Sequence, residues 1–274
     1  MTGAQEWQGR VGQNWAAEWE RTDRSFAALT PHLLAAIANE PGRRVIDVGC
    51  GAGELSLAVA SARPDAEVTG VDISGELIEA ARKRAAGQAN LSFTVADAAS
   101  WQAEGAKPDL YISRHGVMFF SDPPAAFAHL SARAAPGARF VFSCFRPASE
   151  NPWAMDIARL LPPGKPAPAV AFPPGPFAFA DPDHVRLCLK GWTNIQFQPL
   201  DFAYVAGSGS NPVADALSFF SRIGPAAAAI RTLPDQPRAA FERGLLELVQ
   251  SRCVGGRVCF PGAAWLVTAT ADNV

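Results

Sequence analysis

With 274 residues and a formal net charge of −2, the chain lacks the basic excess that binding to nucleic acid or to an anionic membrane requires. Hydrophobic residues make up 49% of the chain and charged residues 18%, which is typical of a globular protein and excludes a disordered one. The five cysteines form no CxxC pair, and no apolar run reaches the roughly 18 residues of a membrane-spanning helix. We therefore expect a cytoplasmic monomer or homodimer without a metal site, whose partner is a small molecule rather than a nucleic acid or a membrane.

The first half of the chain predicts an N-terminal arm followed by alternating strands and helices. The arm is polar and contains tryptophans, and a helix is predicted around residues 25–38. From residue 43 short apolar runs alternate with helical periodicity, as in βαβ units around a mainly parallel sheet. Strands are predicted at 43–49, 67–73, 91–97, 108–115 and 138–145, and helices at 53–62, 74–86 and 123–134.

The second half is less regular. Residues 147–180 are rich in proline and aromatic residues and are interpreted as an insertion that forms a lid. A helix then starts at Pro182 with Asp181 as its N-cap, and a strand follows at 194–206. Residues 213–252 have helical periodicity, and 263–271 predict the last strand. The predicted fold class is therefore α/β, with a Rossmann-like doubly wound sheet of about seven strands and helical and proline-rich cap insertions.

We predict one domain built from these parts. Residues 1–42 form the arm and first helix, 43–146 the ligand-binding core, 147–180 and 207–258 the cap insertions, and 181–206 with 259–274 complete the sheet.

A glycine-rich turn joins the first strand to its helix. Gly49, Gly51 and Gly53 lack Cβ atoms, so a ligand can lie directly against the backbone. A dinucleotide-binding turn reads GxGxxG, which would place a glycine where this chain has Glu54. Because a negative side chain at that helix end is unfavourable for a pyrophosphate, we expect a ligand with little negative charge there, and Asp47 to meet a cationic or donor-rich group.

Two further acids end neighbouring strands. Asp72 ends the second strand at the carboxyl edge, where it can accept both hydroxyls of a ribose. Asp97 ends the third strand, where a carboxylate or a backbone group can reach an adenine amino group. An amino-acid moiety, a sugar and a base without a phosphate together describe S-adenosylmethionine.

The segments VIDVGCGAG, GVDIS, VADAAS and LYISRHGVMFFSDP resemble the motifs of class I S-adenosylmethionine-dependent methyltransferases. Within that family the chain is most similar to the methyltransferase domains of ubiquinone and menaquinone biosynthesis. The resemblance is close over residues 43–146 and weaker at the terminal strands. It implies an antiparallel seventh strand inserted beside the sixth, and S-adenosyl-L-homocysteine as the product of the cofactor.

The resemblance also implies which residues bind the cofactor. Asp47 and the turn residues Gly49, Cys50 and Gly51 would line its methionine end, and Asp72 would bind the ribose. The base would be held by Ile73, Asp97 and Ala98, and the methionine ammonium by the backbone of Ser113.

Two further residues are also expected at the cofactor. Trp15 would close over it as an N-terminal aromatic, with simple packing as the alternative; its i, i+4 spacing predicts a shared helix face with Trp19. Arg114 would contact the cofactor carboxylate or pair with an acid from the arm.

The acceptor end is predicted from chemistry and position. Methyl transfer is an in-line displacement, so the protein mainly aligns the acceptor and excludes water. His115 follows the fourth strand and is interpreted as either a base or a polar residue of the cleft wall. Further candidate acceptor residues, each with core packing or a salt bridge as its alternative, are Met118, Phe119, Phe145, Trp153 and Arg222.

These observations predict a methyltransferase (EC 2.1.1.-) that transfers a methyl group from S-adenosyl-L-methionine to oxygen or carbon of a small, apolar or aromatic acceptor. Two alternatives stay open: an NAD(P)-dependent oxidoreductase, and a cofactor-binding protein without turnover.

Overall fold

The computed structural model describes residues 4–162 and 172–272. Its strands are β1 (Arg44–Val48), β2 (Glu67–Asp72), β3 (Leu91–Val95), β4 (Leu110–Arg114), β5 (Arg139–Phe145), β6 (Trp192–Gly207), β7 (Cys253–Val254) and β8 (Arg257–Ala271). Its helices are α1 (Ala4–Trp7), α2 (Arg10–Ala17), α3 (Trp19–Phe26), α4 (Thr30–Ala38), α5 (Glu54–Ala62), α6 (Gly75–Arg84), α7 (Pro123–Arg133), α8 (Pro152–Arg159), α9 (Pro182–Cys188), α10 (Pro212–Arg222), α11 (Gly224–Thr232) and α12 (Asp235–Ser251). Single 3-10 turns cover Val117–Phe119 and Ala148–Glu150.

The sheet has the order β3-β2-β1-β4-β5-β8-β6, and the two-residue β7 pairs with β8. Strands β1 to β5 are parallel, and β8 lies antiparallel between β5 and β6. The prediction of a mostly parallel, doubly wound sheet with a late antiparallel strand is confirmed. The short β7 is an addition that the sequence does not signal.

Burial along the strands shows where the core lies. In β4 and β5 nearly every residue is buried, as expected for central strands with helices on both faces. The first half of β6 instead alternates between half-buried and exposed residues, as expected at an edge. The sheet is therefore most deeply buried around β1, β4 and β5, whose carboxyl ends carry the predicted site.

Four predictions of local structure are corrected. The helix predicted around residues 25–38 is interrupted between Phe26 and Thr30, because the ring of Pro31 cannot follow a preceding helical turn without a clash. The region 213–252 forms three helices, with breaks at Ile223 and at Leu233–Pro234. Inside the irregular insertion, Pro152–Arg159 form a helix with proline at its first position. Residues 163–171 of that insertion lie outside the described residues.

The fourth correction concerns the tryptophans of the arm. Trp15 lies in α2 and Trp19 begins α3, because the helix breaks at Glu18. The two rings therefore do not share one helix face, although both reach the same cavity. By contrast, Asp181 caps α9 as predicted, with its carboxylate accepting the Asp183 N–H at 2.9 Å.

No single helix in the described part of the chain is both long and apolar enough to cross a membrane. Helices α10 and α11 satisfy that length and composition only when taken together, and they meet at a bend of 71°.

Candidate active site

A cavity of about 260 Å³ opens at the carboxyl ends of the central strands. It lies beside the junction of β1 with β4, where the strand order reverses and where α/β sheets bind their ligands. Its walls come from the turn after β1, the ends of β2 and β3, the loop after β4, the N-terminal helices and the cap. Most predicted site residues line it: Trp15, Asp47, Gly49, Cys50, Gly51, Asp72, Ile73, Asp97, Ala98, Arg114, His115, Met118, Phe119, Phe145 and Trp153.

The glycine turn holds its backbone open towards this cavity. Gly49 and Gly51 have φ of 66° and 55°, in the left-handed region that favours glycine. A Cβ on Gly51 would meet no atom within 4 Å, whereas a Cβ on Gly49 would lie 2.9 Å from Cα of Gly116. Gly51 therefore leaves space for a ligand, and Gly49 allows the loops after β1 and β4 to approach each other.

Asp72 is oriented by the backbone around it. Its Oδ2 accepts the Gly51 N–H at 2.9 Å, and its Oδ1 accepts the Ser74 N–H at 2.9 Å. Burial raises the pKa of this carboxyl group above its ordinary value. Each oxygen keeps acceptor capacity for one further donor, which fits the two adjacent hydroxyls of a ribose.

Asp47 is the most deeply buried acid of the turn, with 1% of its surface exposed. Its Oδ2 accepts the Ser56 hydroxyl at 2.6 Å, whereas Oδ1 has no partner within the described ranges. Burial raises the pKa of Asp47 to about 7, and the hydrogen bond from Ser56 and the charge of Arg114 oppose that rise. An unpaired buried carboxylate oxygen beside an open backbone turn fits a cationic group such as an ammonium.

The part of the predicted site that would hold the adenine is less enclosed. Asp97 and Ala98 follow β3 and line the cavity. Oδ1 of the exposed Asp97 accepts the Ala99 N–H at 2.9 Å, which leaves its other oxygen for a ligand.

Ser113 lies behind the cavity rather than in its lining. Its hydroxyl donates to Val48 O at 2.7 Å and accepts the Gly116 N–H at 3.2 Å. It thus ties the ends of β1 and β4 together, while its predicted backbone contact with an ammonium stays a prediction.

The arm covers the cavity with three tryptophans, of which Trp7 and Trp19 were not predicted to contact the ligand. Trp7 packs against Trp15 with ring centroids 5.6 Å apart and against Phe119 at 5.1 Å. Trp7 and Trp19 were not predicted to contact the ligand because they lie outside the strand motifs. The several tryptophans of the arm were the one sequence signal for such a role.

Ion pairs fasten the arm to the core. Asp23 of α3 accepts from Arg84 at 2.7 Å and from Arg114 at 3.1 Å, and Arg114 also pairs closely with Glu54. Burial raises the pKa of Glu54 to about 7, and Arg114 opposes this. Of the two contacts predicted for Arg114, the structure shows the pairing with an acid of the arm. Trp19 adds a cation–π contact, with the Arg84 guanidinium 3.9 Å from its ring centroid.

His115 has a strained backbone and a buried ring. Its φ is 60°, which is uncommon for a residue with a side chain, and 7% of it is exposed. The ring packs 4.2 Å from the centroid of Phe145 and 4.9 Å from that of Phe26. Burial, then the charge of Arg114, lowers the pKa of His115 to about 3, so its imidazole is neutral at physiological pH.

The far end of the cavity is aromatic. Phe145, Met118 and Trp153 line it, and their contact with an acceptor stays a prediction; Trp153 stacks on Tyr204 with centroids 5.1 Å apart. Tyr204 and Phe220, from β6 and α10, line it without having been predicted.

Arg222 is not part of the cavity lining. Its Nη1 pairs with Oε1 of Glu18 at 3.0 Å, and 55% of its side chain is exposed. The structure therefore places it in the salt bridge that was the alternative to an acceptor contact.

The charges along the cavity fit a cofactor with cationic groups better than one with phosphates. In the described part of its lining, four aspartates (Asp23, Asp47, Asp72 and Asp97) stand against one arginine, Arg114, which is already paired. An open turn, a buried acid at a strand end and an unpaired carboxylate oxygen match what the ribose and the positively charged groups of S-adenosylmethionine would require. The fold and this lining are those expected of a class I methyltransferase domain.

Comparisons with known proteins agree with this class. Residues 39–161 match the family described as a methyltransferase domain. A trans-aconitate 2-methyltransferase of Methylobacterium radiotolerans is 39% identical over 105 residues, 38% of this chain and 39% of that protein. A demethylmenaquinone methyltransferase of Symbiobacterium thermophilum is 42% identical over 72 residues, 26% of each chain. The matched segments thus span less than half of these curated relatives.

The similarity of fold extends beyond residues 39–161, the segment matched in sequence. A protein of Bacillus halodurans, proposed to be a methyltransferase, superposes with a TM-score of 0.55 at 13% identity, covering 90% of this chain and 99% of the other. The matched segment and the fold together indicate a class I S-adenosylmethionine-dependent methyltransferase domain, and the cofactor of that family is S-adenosyl-L-methionine.

Proposed function

We propose that the protein transfers the methyl group of S-adenosyl-L-methionine to a small, apolar or aromatic acceptor. The observation that carries this proposal is that one cavity joins the glycine turn and Asp72 to the aromatic cluster of Phe145, Trp153 and Tyr204. A cofactor held at the first end would present its methyl group to a molecule held at the second.

When bound, S-adenosyl-L-methionine supplies an electrophilic methyl group on a sulfonium for in-line displacement. The chain's own residues bind and orient. Asp72 would accept the ribose hydroxyls, Asp47 would accept from the ammonium, and Gly51 leaves room for the ligand. Trp15 and Trp19 of the arm would exclude water from the cavity, which would strengthen the electrostatic contacts with a bound cofactor.

The charges of the cavity favour one acceptor class over another. Trans-aconitate, in the name of one relative, is a tricarboxylate and would need free cations. Arg114 is engaged by Asp23 and Glu54, so within the described lining it is not available for that role. Demethylmenaquinone, in the name of another relative, is an apolar aromatic molecule of the class that an aromatic pocket holds. We accordingly favour an aromatic acceptor.

The proposal is tested by binding first and by turnover second. Calorimetry should register tight binding of S-adenosyl-L-homocysteine and none of NADH. A tritium-transfer assay with phenols, quinols, carboxylic acids and amines should then label a phenol or a quinol. Binding of NADH alone would favour an oxidoreductase, and binding of S-adenosyl-L-homocysteine without transfer to any acceptor would favour a protein without turnover.

A further inference from the structure

The pair formed by His115 and Ser143 of β5 carries an inference about the acceptor. Two bonds join these residues: the His115 N–H donates to Ser143 O at 3.0 Å, and the Ser143 hydroxyl lies 2.9 Å from Nδ1 of the ring. The rings of Phe26 and Phe145 hold the imidazole from its sides. Its orientation is therefore set by backbone, side chain and packing together.

The hydrogen bonds of Ser143 decide the tautomer. Ser143 is 1% exposed, and among the described residues Nδ1 of His115 is the partner of its hydroxyl. If Nδ1 carried the hydrogen and donated to Ser143, the buried hydroxyl hydrogen would have no acceptor. If Ser143 donates to Nδ1, the hydroxyl hydrogen and Nδ1 are both satisfied, and the one donor left over belongs to a ring that lines the cavity, where a bound molecule can accept from it.

The remaining hydrogen then lies on Nε2. This atom is buried and has no partner among the described residues, and His115 lines the cavity next to Phe145. An N–H at this atom can donate a hydrogen bond to an acceptor molecule but cannot remove a proton from it.

The other titratable groups at the aromatic end are not suited to act as a base either. Asp23 is held by Arg84 and Arg114, and burial raises the pKa of Tyr204 to about 12. Asp47 and Asp72 belong to the opposite, glycine-turn end. Within the described lining, the aromatic end thus offers a donor for an oxygen and no group suited to deprotonate it.

We propose that Ser143 holds His115 in the Nε2–H tautomer, and that Nε2–H binds the oxygen of a phenol or enol that enters already ionised. This rests on the proposed function, because it concerns the acceptor of the same site. No proton leaves during transfer: a lone pair of the oxyanion forms the new O–CH₃ bond, the sulfur keeps the electron pair of the broken bond, and both charges are neutralised. His115 selects the acceptor oxygen, and Ser143 is a positioning residue.

The tautomer is tested by NMR with ¹⁵N-labelled histidine, without turnover. The chain has 4 histidines, and the His115→Phe variant identifies which signals belong to His115. We expect a hydrogen on Nε2, with no titration between about pH 5 and pH 8. Ser143→Ala should abolish this preference. The matched control Ser131→Ala, which removes another buried hydroxyl bonded to Gly191 O, should preserve it. A hydrogen on Nδ1, or titration near neutrality in the unaltered protein, would overturn the assignment.

The acceptor class is tested with 4-nitrophenol, whose ionised form absorbs visible light. In the presence of S-adenosyl-L-homocysteine and one pH unit below its ionisation in water, it should bind with the spectrum of the phenolate. His115→Phe should weaken that binding about tenfold, as the loss of one hydrogen bond to a charged oxygen predicts. Binding as the neutral phenol, or no binding, would refute the selection of an oxyanion. Failure of S-adenosyl-L-homocysteine to bind would instead refute the proposed function and leave the NMR result standing.

Discussion

The two ends of the cavity are built in different ways. At the glycine-turn end the polar groups lie within residues 47–98, on the ends of adjacent parallel strands, and backbone N–H groups orient their carboxylates. At the aromatic end the side chains come from the arm, from the loop after β4, from β5, α8 and β6, and they are positioned by packing. Changes at the first end should therefore act on cofactor binding, and changes at the second on the acceptor.

The largest effect that this division predicts is that of Asp72→Ala. The variant removes both acceptors for a ribose and also frees the Gly51 and Ser74 N–H groups that shape the turn. We expect the affinity for S-adenosyl-L-homocysteine in calorimetry to fall about 100-fold, as the loss of two hydrogen bonds to a charged group predicts. The control is Asp97→Ala, which removes an exposed carboxylate at the same end of the cavity. It should lower the affinity for S-adenosyl-L-homocysteine clearly less. An equal loss in both would contradict the special position of Asp72.

Asp47 should make cofactor binding depend on pH. Its pKa is raised to about 7, chiefly by burial, so in the free protein it is largely protonated below that pH. Because an ammonium requires the ionised form, the affinity for S-adenosyl-L-homocysteine should fall about tenfold between pH 8 and pH 6. Asp47→Asn should bind more weakly at pH 8 and show a flatter profile; an unchanged profile would assign the titration to Glu54.

The same group gives a prediction for stability with the opposite sign. The folded-state pKa of Asp47 lies above the value in the unfolded chain, so its contribution is fully present below about pH 4 and is lost as the pH rises through about 7. Thermal melting without ligand should show this slope, and Asp47→Asn should reduce it.

At the aromatic end, Phe145→Leu should separate the acceptor from the cofactor. Phe145 is 4% exposed and contacts both His115 and Trp153. Loss of the ring should raise the KM of an aromatic acceptor about fivefold and lower the free energy of unfolding by about 1 kcal/mol, the usual cost of a change of shape in a core. The affinity for S-adenosyl-L-homocysteine should stay within twofold. A parallel loss of cofactor affinity would show that the two ends are not separable.

The smallest effect is expected for Arg222→Ala. Because Arg222 lies outside the cavity and its partner Glu18 keeps the 2.6 Å pair with Arg21, the variant should lose only about 0.5 kcal/mol of unfolding free energy. The KM of the acceptor should not change. A marked rise would bring back the predicted contact between Arg222 and the acceptor.

The sequence allowed most residues that line the glycine-turn end of the cavity to be located, while their contacts with the cofactor stay predictions. Asp47, Gly51 and Asp72 carry signals that are local: a strand, a turn poor in side chains, and an acid at a strand end. The late antiparallel strand followed from the resemblance to a family and not from periodicity. The arm was harder, since a break at Glu18 separates two tryptophans whose spacing alone places them on one helix face.

What the sequence by itself determined is the βαβ core, the cofactor class and the acids at the strand ends, because hydrophobic period and turn chemistry act over a few neighbouring residues. Only the tertiary structure decided that Arg114 pairs with Asp23, that Ser143 faces Nδ1 of His115, and that Arg222 faces away from the site. The partners of His115, Arg114 and Arg222 lie between 28 and 204 residues away in the chain. These contacts therefore depend on tertiary packing, which no local sequence pattern encodes.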